Sequence, residues 1–210
     1  MPTRFLLLRH AETTQPHVFN GYESDVSLSP LGERQARAVA PVLAAARPDL
    51  IISSPMIRAR QTARPIAEAC GVPLLIEADL YERKVGPLCG KTNAEAGGLW
   101  TETLRRWKEG NLAYAPADAE SFLDVQRRSV PALERLAADH AGRTLVVVAH
   151  GHVCRVLLLS LLEGLSMASW DDLGPIPNMA VTELLHSGQS WQALRLNEVP
   201  EVVKRINGVA

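Results

Sequence analysis

Four short apolar runs in this chain each end in side chains that can handle a phosphoryl group. Arg9-His10 follow Phe5–Leu8, and Ser53-Ser54-Pro55 follow Leu50–Ile52, with Arg58 a turn further on. Glu82 lies beyond Pro73–Ile76, and His150-Gly151-His152 follow Leu145–Ala149. Arginine presents a planar fork of donors that matches phosphate geometry and stays charged at every working pH. Histidine near neutral pH serves as nucleophile, base or anion donor, and a carboxylic acid can protonate a leaving oxygen. Each item alone has a plainer reading: trimming of a strand end, a solvated helix arginine, a loop carboxylate, a core histidine bonded to backbone. Those readings weaken only jointly, because several strand ends deliver compatible groups. His150-x-His152 also admits a metal site. With no HExxH, no cysteine pair and no Asp at ligand spacing, metal is the weaker account.

The elements that must position these groups follow from periodicity. Phe5–Leu8 is too short for a helix and reads as a buried strand, as do Leu50–Ile52, Pro73–Ile76 and Leu145–Ala149. Ser29 and Pro30 open a helix running to about Arg47, in which Pro41 is expected to cause a kink or split. A second helix is expected from Ser54-Pro55 to Cys70, stopped by Gly71, a third from Glu120 to about His140 with Pro131 as a breaker, and a fourth over Gly151–Leu162. Two short strands are expected near Val181–Leu185 and Trp191–Leu196. Strands alternating with helices predict an α/β three-layer sandwich: a mostly parallel sheet with helices on both faces and ligands beyond the carboxyl ends of the strands. Helix N-termini at Ser54 and Gly151 would add N–H donors for an anion. Residues 86–119, rich in Gly, Pro and Trp, read as a cap-like insertion in a single domain spanning 1–210, with one short helix around Leu99–Lys108.

Composition narrows the class of protein. The 210 residues carry 22 Lys+Arg against 23 Asp+Glu, a net charge of −1, and 47% are hydrophobic. That is ample material for a core, and it leaves no basic footprint for nucleic acid or anionic lipid. No apolar run is long enough to span a membrane. Three cysteines without a CxxC pair point to reduced thiols and a cytoplasmic setting.

Taken in order, the motifs resemble those of the histidine phosphatase superfamily, the phosphoglycerate mutase-like proteins. Leu8-Arg9-His10-Ala11-Glu12-Thr13 is similar to its "RHG-E-T/S" signature. Ser27 to Ala36 resembles its "L-S/T-x-x-G-x-x-Q-A" segment, and Ser53 to Ala63 its "SSPLxRAxQTA" block. Leu80-Tyr81-Glu82-Arg83 with Gly86 and Gly90 resembles the acid loop; Glu120-Ser121 and Val148-Ala149-His150-Gly151 match two further elements. The resemblance covers about residues 4 to 185.

It implies that His10 attacks phosphorus, that Arg9, Arg58 and His150 clamp the phosphoryl oxygens, and that Glu82 protonates the leaving oxygen. Cationic donors fixed in advance stabilise the spread charge of phosphoryl transfer, so no metal or other cofactor is implied. His10 must attack as neutral imidazole, so its other ring nitrogen needs an acceptor, expected to be a backbone carbonyl. Thr13, Asn20, Gly21, Arg83 and Gly151 match positions that bind phosphate or the rest of the substrate. Two departures stand out: the family's phosphate-binding Asn is Pro16 here, and the Gly after the nucleophile is Ala11.

The partner is then a small phosphorylated substrate, with a homodimer left open. The Glu82–Lys91 loop and Arg105-Arg106 resemble the mutase branch, but only about 30 residues separate Gly90 from Glu120. A short cap admits water and favours a phosphatase. Mutase chemistry and a non-catalytic phospholigand binder are the alternatives. Trp100 and Trp107, seven apart and on one helical face, read as packing rather than substrate contacts.

Overall fold

The computed structural model describes residues 1–208. Six strands form one sheet: β1 (Thr3–Arg9), β2 (Leu50–Ser53), β3 (Leu74–Ile76), β4 (Thr144–Ala149), β5 (Val181–His186) and β6 (Trp191–Glu198), in the order β3-β2-β4-β1-β5-β6. The first four are mutually parallel, and β5 and β6 add antiparallel edge pairing. Successive strand side chains point to opposite faces, and the two cores show it. Phe5, Leu7, Leu50, Ile52, Leu145 and Val147 face one helical layer, whereas Leu6, Leu8, Ile51, Val146 and Val148 face the other. Central strands buried on both faces must be apolar at every position, which is why these runs do not alternate in the sequence.

Helices α1 (Pro30–Ala44) and α2 (Ile57–Cys70) cover one face. On the other lie α3 (Asn93–Lys108), α4 (Phe122–Asp139) and α5 (Gly151–Leu161). A short α6 (Glu201–Ile206), which hydrophobic periodicity did not mark, rests on α1 through Val203. Ser29 caps α1 by accepting from Gly32 N at 3.0 Å, with Pro30 in the first turn.

Four expectations need correction. Pro41 does not split α1, and Pro131 does not break α4. Pro41 stands on the solvent side of α1, as does Arg37 one turn before it, whose carbonyl loses its partner and can turn to water. Helix α2 begins at Ile57 rather than at Ser54-Pro55, because the Ser54 side chain is used elsewhere. Its first N–H, at Ile57, donates to Asp25 Oδ1 at 2.7 Å, so this helix end is already occupied by a carboxylate. The insertion helix starts earlier than expected, at Asn93 behind a Thr92–Glu95 capping box, but breaks at Gly97, whose φ is 43°.

Among the described residues no helix is long and apolar enough to cross a membrane.

Candidate active site

Strand register alone brings the two histidines together. His10 and His150 each stand one residue beyond neighbouring parallel strands in which Arg9 lies opposite Ala149. His10 N donates to the Ala149 carbonyl at 3.0 Å, and the two imidazole rings sit 5.2 Å apart, tilted by 60°. Ser54 occupies the same position beyond β2, its N–H donating to the Val148 carbonyl at 3.0 Å. Its hydroxyl shares a 2.7 Å hydrogen bond with His150 Nε2. Ser54 therefore orients a histidine instead of capping a helix.

His10 Nδ1 lies 2.7 Å from the Ala11 carbonyl. A carbonyl can only accept, so Nδ1 carries the proton and Nε2 keeps its lone pair. Burial, then the Arg9 and Arg58 guanidinium groups, hold the His10 imidazole well below its ordinary pKa, so it is neutral at pH 7. Burial and the same arginines do so for His150 as well.

The loop bearing the nucleophile is fixed from three sides. Asn178 Nδ2 donates to the His10 carbonyl at 2.8 Å, Ala11 N to Thr62 Oγ1 at 3.0 Å, and Glu12 N to Gln35 Oε1 at 2.9 Å. Ser29 closes the contact to α1, its hydroxyl donating to Glu12 Oε1 at 2.7 Å and its N–H to the Glu12 carbonyl at 3.0 Å. Gly32 is required by this approach: a Cβ there would fall 2.0 Å from the Glu12 carbonyl oxygen. Much of the sequence motif in α1 and α2 thus serves to hold residues 10–12 in place.

Positive charge gathers behind the nucleophile. Arg9 Nη1 donates to the Ile176 carbonyl at 2.5 Å, while its buried Nε has no partner. Gly151, first residue of α5, packs on that guanidinium; a Cβ there would sit 3.5 Å from Nε. Arg58 is fully buried and donates to the carbonyls of Ser24 at 2.8 Å, Asn20 at 3.2 Å and Gly21 at 3.3 Å, leaving its Nε unpartnered. Burial lowers the pKa of both arginines, and the charge of Glu82 opposes that shift.

Glu82 is 5% exposed and accepts from Arg83 N at 2.8 Å and from His152 N, in the first turn of α5, at 3.3 Å. The acid loop is held by a largely buried pair in which Arg128 Nε donates to Glu120 Oε1 at 2.9 Å. Arg128 also donates to the carbonyls of Asp79 and Tyr81, and Glu120 accepts from Tyr81 Oη and Lys84 N.

These groups converge on a cavity of about 210 Å³ whose wall includes Arg9, His10, Thr13, Asn20, Glu82 and Gly151. Pro16 is also in the wall. Arg58, His150, Gly21 and Arg83 are not part of that wall. The Asn20 amide is spent on its own loop, donating to the Gln15 carbonyl at 2.6 Å and accepting from Ser24 Oγ at 3.2 Å. Arg83 is buried under the insertion, 5.0 Å from the Trp107 ring centroid and 5.7 Å from that of Trp100. Trp107 is 1% exposed, stacks edge-on to Trp100 at 5.8 Å and donates its Nε1–H to the Tyr114 carbonyl, so both tryptophans pack the insertion onto the sheet. Arg105 and Arg106 pair with Glu102, and Arg105 also with Glu109, on the outer face of α3.

The wall also holds His152, which the sequence reading noted only in the His150-x-His152 pair, and Arg155 and Asn178, which it missed. Arg155 had a usable signal, since it lies four residues after Gly151 on a helix whose start faces the site. Asn178 had none. A larger groove of about 840 Å³ along α1, α2 and β3 contains none of these residues. Among the described residues no group of three or more His, Cys, Asp or Glu side chains is placed to share a metal ion.

Comparison with known proteins bears on this arrangement. The sequence profile of the histidine phosphatase superfamily (branch 1) matches residues 5–199. The chain is 34% identical over 191 residues to the glucosyl-3-phosphoglycerate phosphatase of Mycobacterium tuberculosis, covering 86% of this chain and 84% of that protein. It is 34% identical over 202 residues to the metal-independent phosphoserine phosphatase of Arabidopsis thaliana, covering 90% and 79%. The native structure of mycobacterial glucosyl-3-phosphoglycerate phosphatase superposes with a TM-score of 0.80 at 32% identity, over 94% of this chain and 99% of that one.

Proposed function

The chain belongs to the histidine phosphatase superfamily, and from that premise we propose that it hydrolyses small phosphate monoesters through a phosphohistidine on His10. The observation that carries this reading is the His10 ring: Nδ1 is committed to the Ala11 carbonyl, and the ring opens onto a cavity it shares with Arg9 and Glu82. In the first step the Nε2 lone pair attacks phosphorus and the P–O ester bond breaks, its electron pair leaving with the ester oxygen. Glu82, entering as the acid, gives that oxygen a proton. In the second step water attacks phosphorus, the P–N bond returns its pair to Nε2, and Glu82 takes the water's proton. Arg9 and Arg58, with the start of α5, hold the negative charge that spreads over the equatorial oxygens.

A cavity of about 210 Å³ is smaller than the ~300–1,000 Å³ common for drug-sized ligands, which supports a compact substrate. Hydrolysis is favoured over a mutase-type return of the phosphoryl group because Arg105 and Arg106 are engaged by carboxylates on the outside of the insertion. Three unpaired cysteines support a reducing, cytoplasmic setting. The test is phosphate release from p-nitrophenyl phosphate with EDTA present, comparing wild type with His10→Ala. Release by wild type alone is expected. Release unaffected by the substitution, or abolished by EDTA in wild type, overturns the reading. Interconversion of phosphoglycerates faster than phosphate release would instead assign the mutase reaction.

A further inference from the structure

His152 is the one imidazole in the cavity wall that the proposed hydrolysis does not use. Its N–H donates to Glu82 Oε2 at 3.3 Å, so the residue is joined to the carboxyl group that handles the proton. Trp100 holds the ring, edge-on at 5.3 Å with an interplanar angle of 87°. His10 Nδ1 and His150 Nε2 are hydrogen-bonded, whereas among the described residues neither ring nitrogen of His152 has a partner. Burial, then the charges of Arg83, Arg155 and Arg9, keep this ring neutral at pH 7. A neutral imidazole has one N–H and one lone pair, so it can accept as well as donate.

The second half of the reaction has a requirement that the first lacks. In the first, the oxygen served by Glu82 belongs to the ester and carries no hydrogen. In the second it belongs to water, which carries two. One passes to Glu82, and the other stays on the oxygen as it bonds to phosphorus. A water held through a single hydrogen can still rotate about it; a second acceptor fixes the direction of the attacking lone pair. Other neutral polar side chains of the wall are placed elsewhere. Asn178 is tied to the His10 carbonyl, and Thr13 belongs to the His10 loop, bridged to Leu28. The Asn20 amide is engaged by Gln15 and Ser24, and Gln15 is exposed. Among the described residues of the wall, His152 is the neutral one joined to Glu82.

We infer that His152 positions the water of the second step, its ring nitrogen accepting one hydrogen while Glu82 takes the other as a proton. This role, which rests on the hydrolytic reading above, gives dephosphorylation a residue that phosphorylation does not need. The water oxygen bonds to phosphorus, the P–N pair returns to His10 Nε2, and one proton goes to Glu82. The hydrogen directed at His152 remains on the product phosphate, so His152 gains no proton. A neutral ring suits the task, because an imidazolium has no lone pair to offer. The competing role is packing, in which the ring only fills space against Trp100.

The experiment follows p-nitrophenyl phosphate by rapid quench and measures formation and decay of phosphohistidine separately in wild type, His152→Phe and His152→Gln. Phenylalanine keeps a ring against Trp100 without an acceptor; glutamine gives up the ring and keeps an acceptor. Formation is expected to be unchanged in His152→Phe, and with it kcat/KM, which covers the steps up to nitrophenolate release. Decay is expected to slow by about threefold to tenfold, the effect of one neutral hydrogen bond, so that phosphohistidine accumulates. His152→Gln is expected to decay faster than His152→Phe. Packing predicts the reverse order, with formation slowed as well. Decay in His152→Phe as fast as in wild type, or formation and decay slowed by the same factor, overturns the inference. If His152→Phe does not fold, His152→Leu supplies the variant without an acceptor. A wild type that forms no phosphohistidine removes the hydrolytic reading and this role with it; one that forms it, with decay indifferent to His152→Phe, removes this role alone.

Discussion

Three neutral imidazoles at one site make stability depend steeply on acidity. His10 and His150 are buried, and His152, partly buried on α5, is depressed in the same way by burial, then by Arg83, Arg155 and Arg9. In the unfolded chain each titrates near 6.5. As pH falls below about 6.5 the unfolded chain binds protons that the folded site refuses, so stability is lost on acidification and regained as pH rises toward 7. Each proton is worth about 1.4 kcal/mol per pH unit, so the three together set a limiting slope of about 4 kcal/mol per unit between their lowered values and 6.5. Against a typical total of about 5–15 kcal/mol, that is a large fraction. Urea denaturation at about pH 7 and about pH 5.5 measures it directly. His10→Asn removes one titrating ring and is expected to cut the slope by about a third. Stability that is flat or rises on acidification, or a slope untouched by His10→Asn, would refute the reasoning.

Other consequences are equally open to measurement. Glu82→Gln should slow release from an alkyl ester by about a hundredfold to ten-thousandfold, the usual worth of general acid catalysis. It should slow p-nitrophenyl phosphate far less, because nitrophenolate leaves without a proton; equal losses would remove Glu82 from the acid role. Glu120→Ala takes the carboxylate from the largely buried Arg128, leaving it the Asp79 and Tyr81 carbonyls, and should cost about 1–3 kcal/mol in denaturant unfolding. Gly32→Ala drives a methyl group against the Glu12 carbonyl and should destabilise by about 1–3 kcal/mol, with a fall in kcat as the His10 loop shifts. A neutral Gly32→Ala would mean that α1 can move back without cost.

The sequence reading recovered the fold's frame because its central strands are buried on both faces and so appear as unbroken apolar runs. The strand ends led directly to Arg9, His10 and His150, and the backbone acceptor expected for His10 is the Ala11 carbonyl. What was hidden depends on partners distant in the chain. Ser54 looks like a helix cap until β4 brings His150 beside it. Asn20 looks like a phosphate donor until Gln15 and Ser24 occupy its amide. Pro41 and Pro131 look like breakers, yet each is accommodated inside a continuous helix. Helix α6, six residues long, is too short to show a period.

The central claim is that phosphorus becomes bonded to His10, and it is tested most directly by trapping. Protein quenched into alkali during turnover of p-nitrophenyl phosphate, then digested and analysed by mass spectrometry, should carry a phosphoryl group on the peptide containing His10. The adduct should be lost on acid treatment and absent from His10→Ala. A wild-type protein that releases phosphate while this peptide stays unmodified, or that carries the group on another residue, would contradict the account.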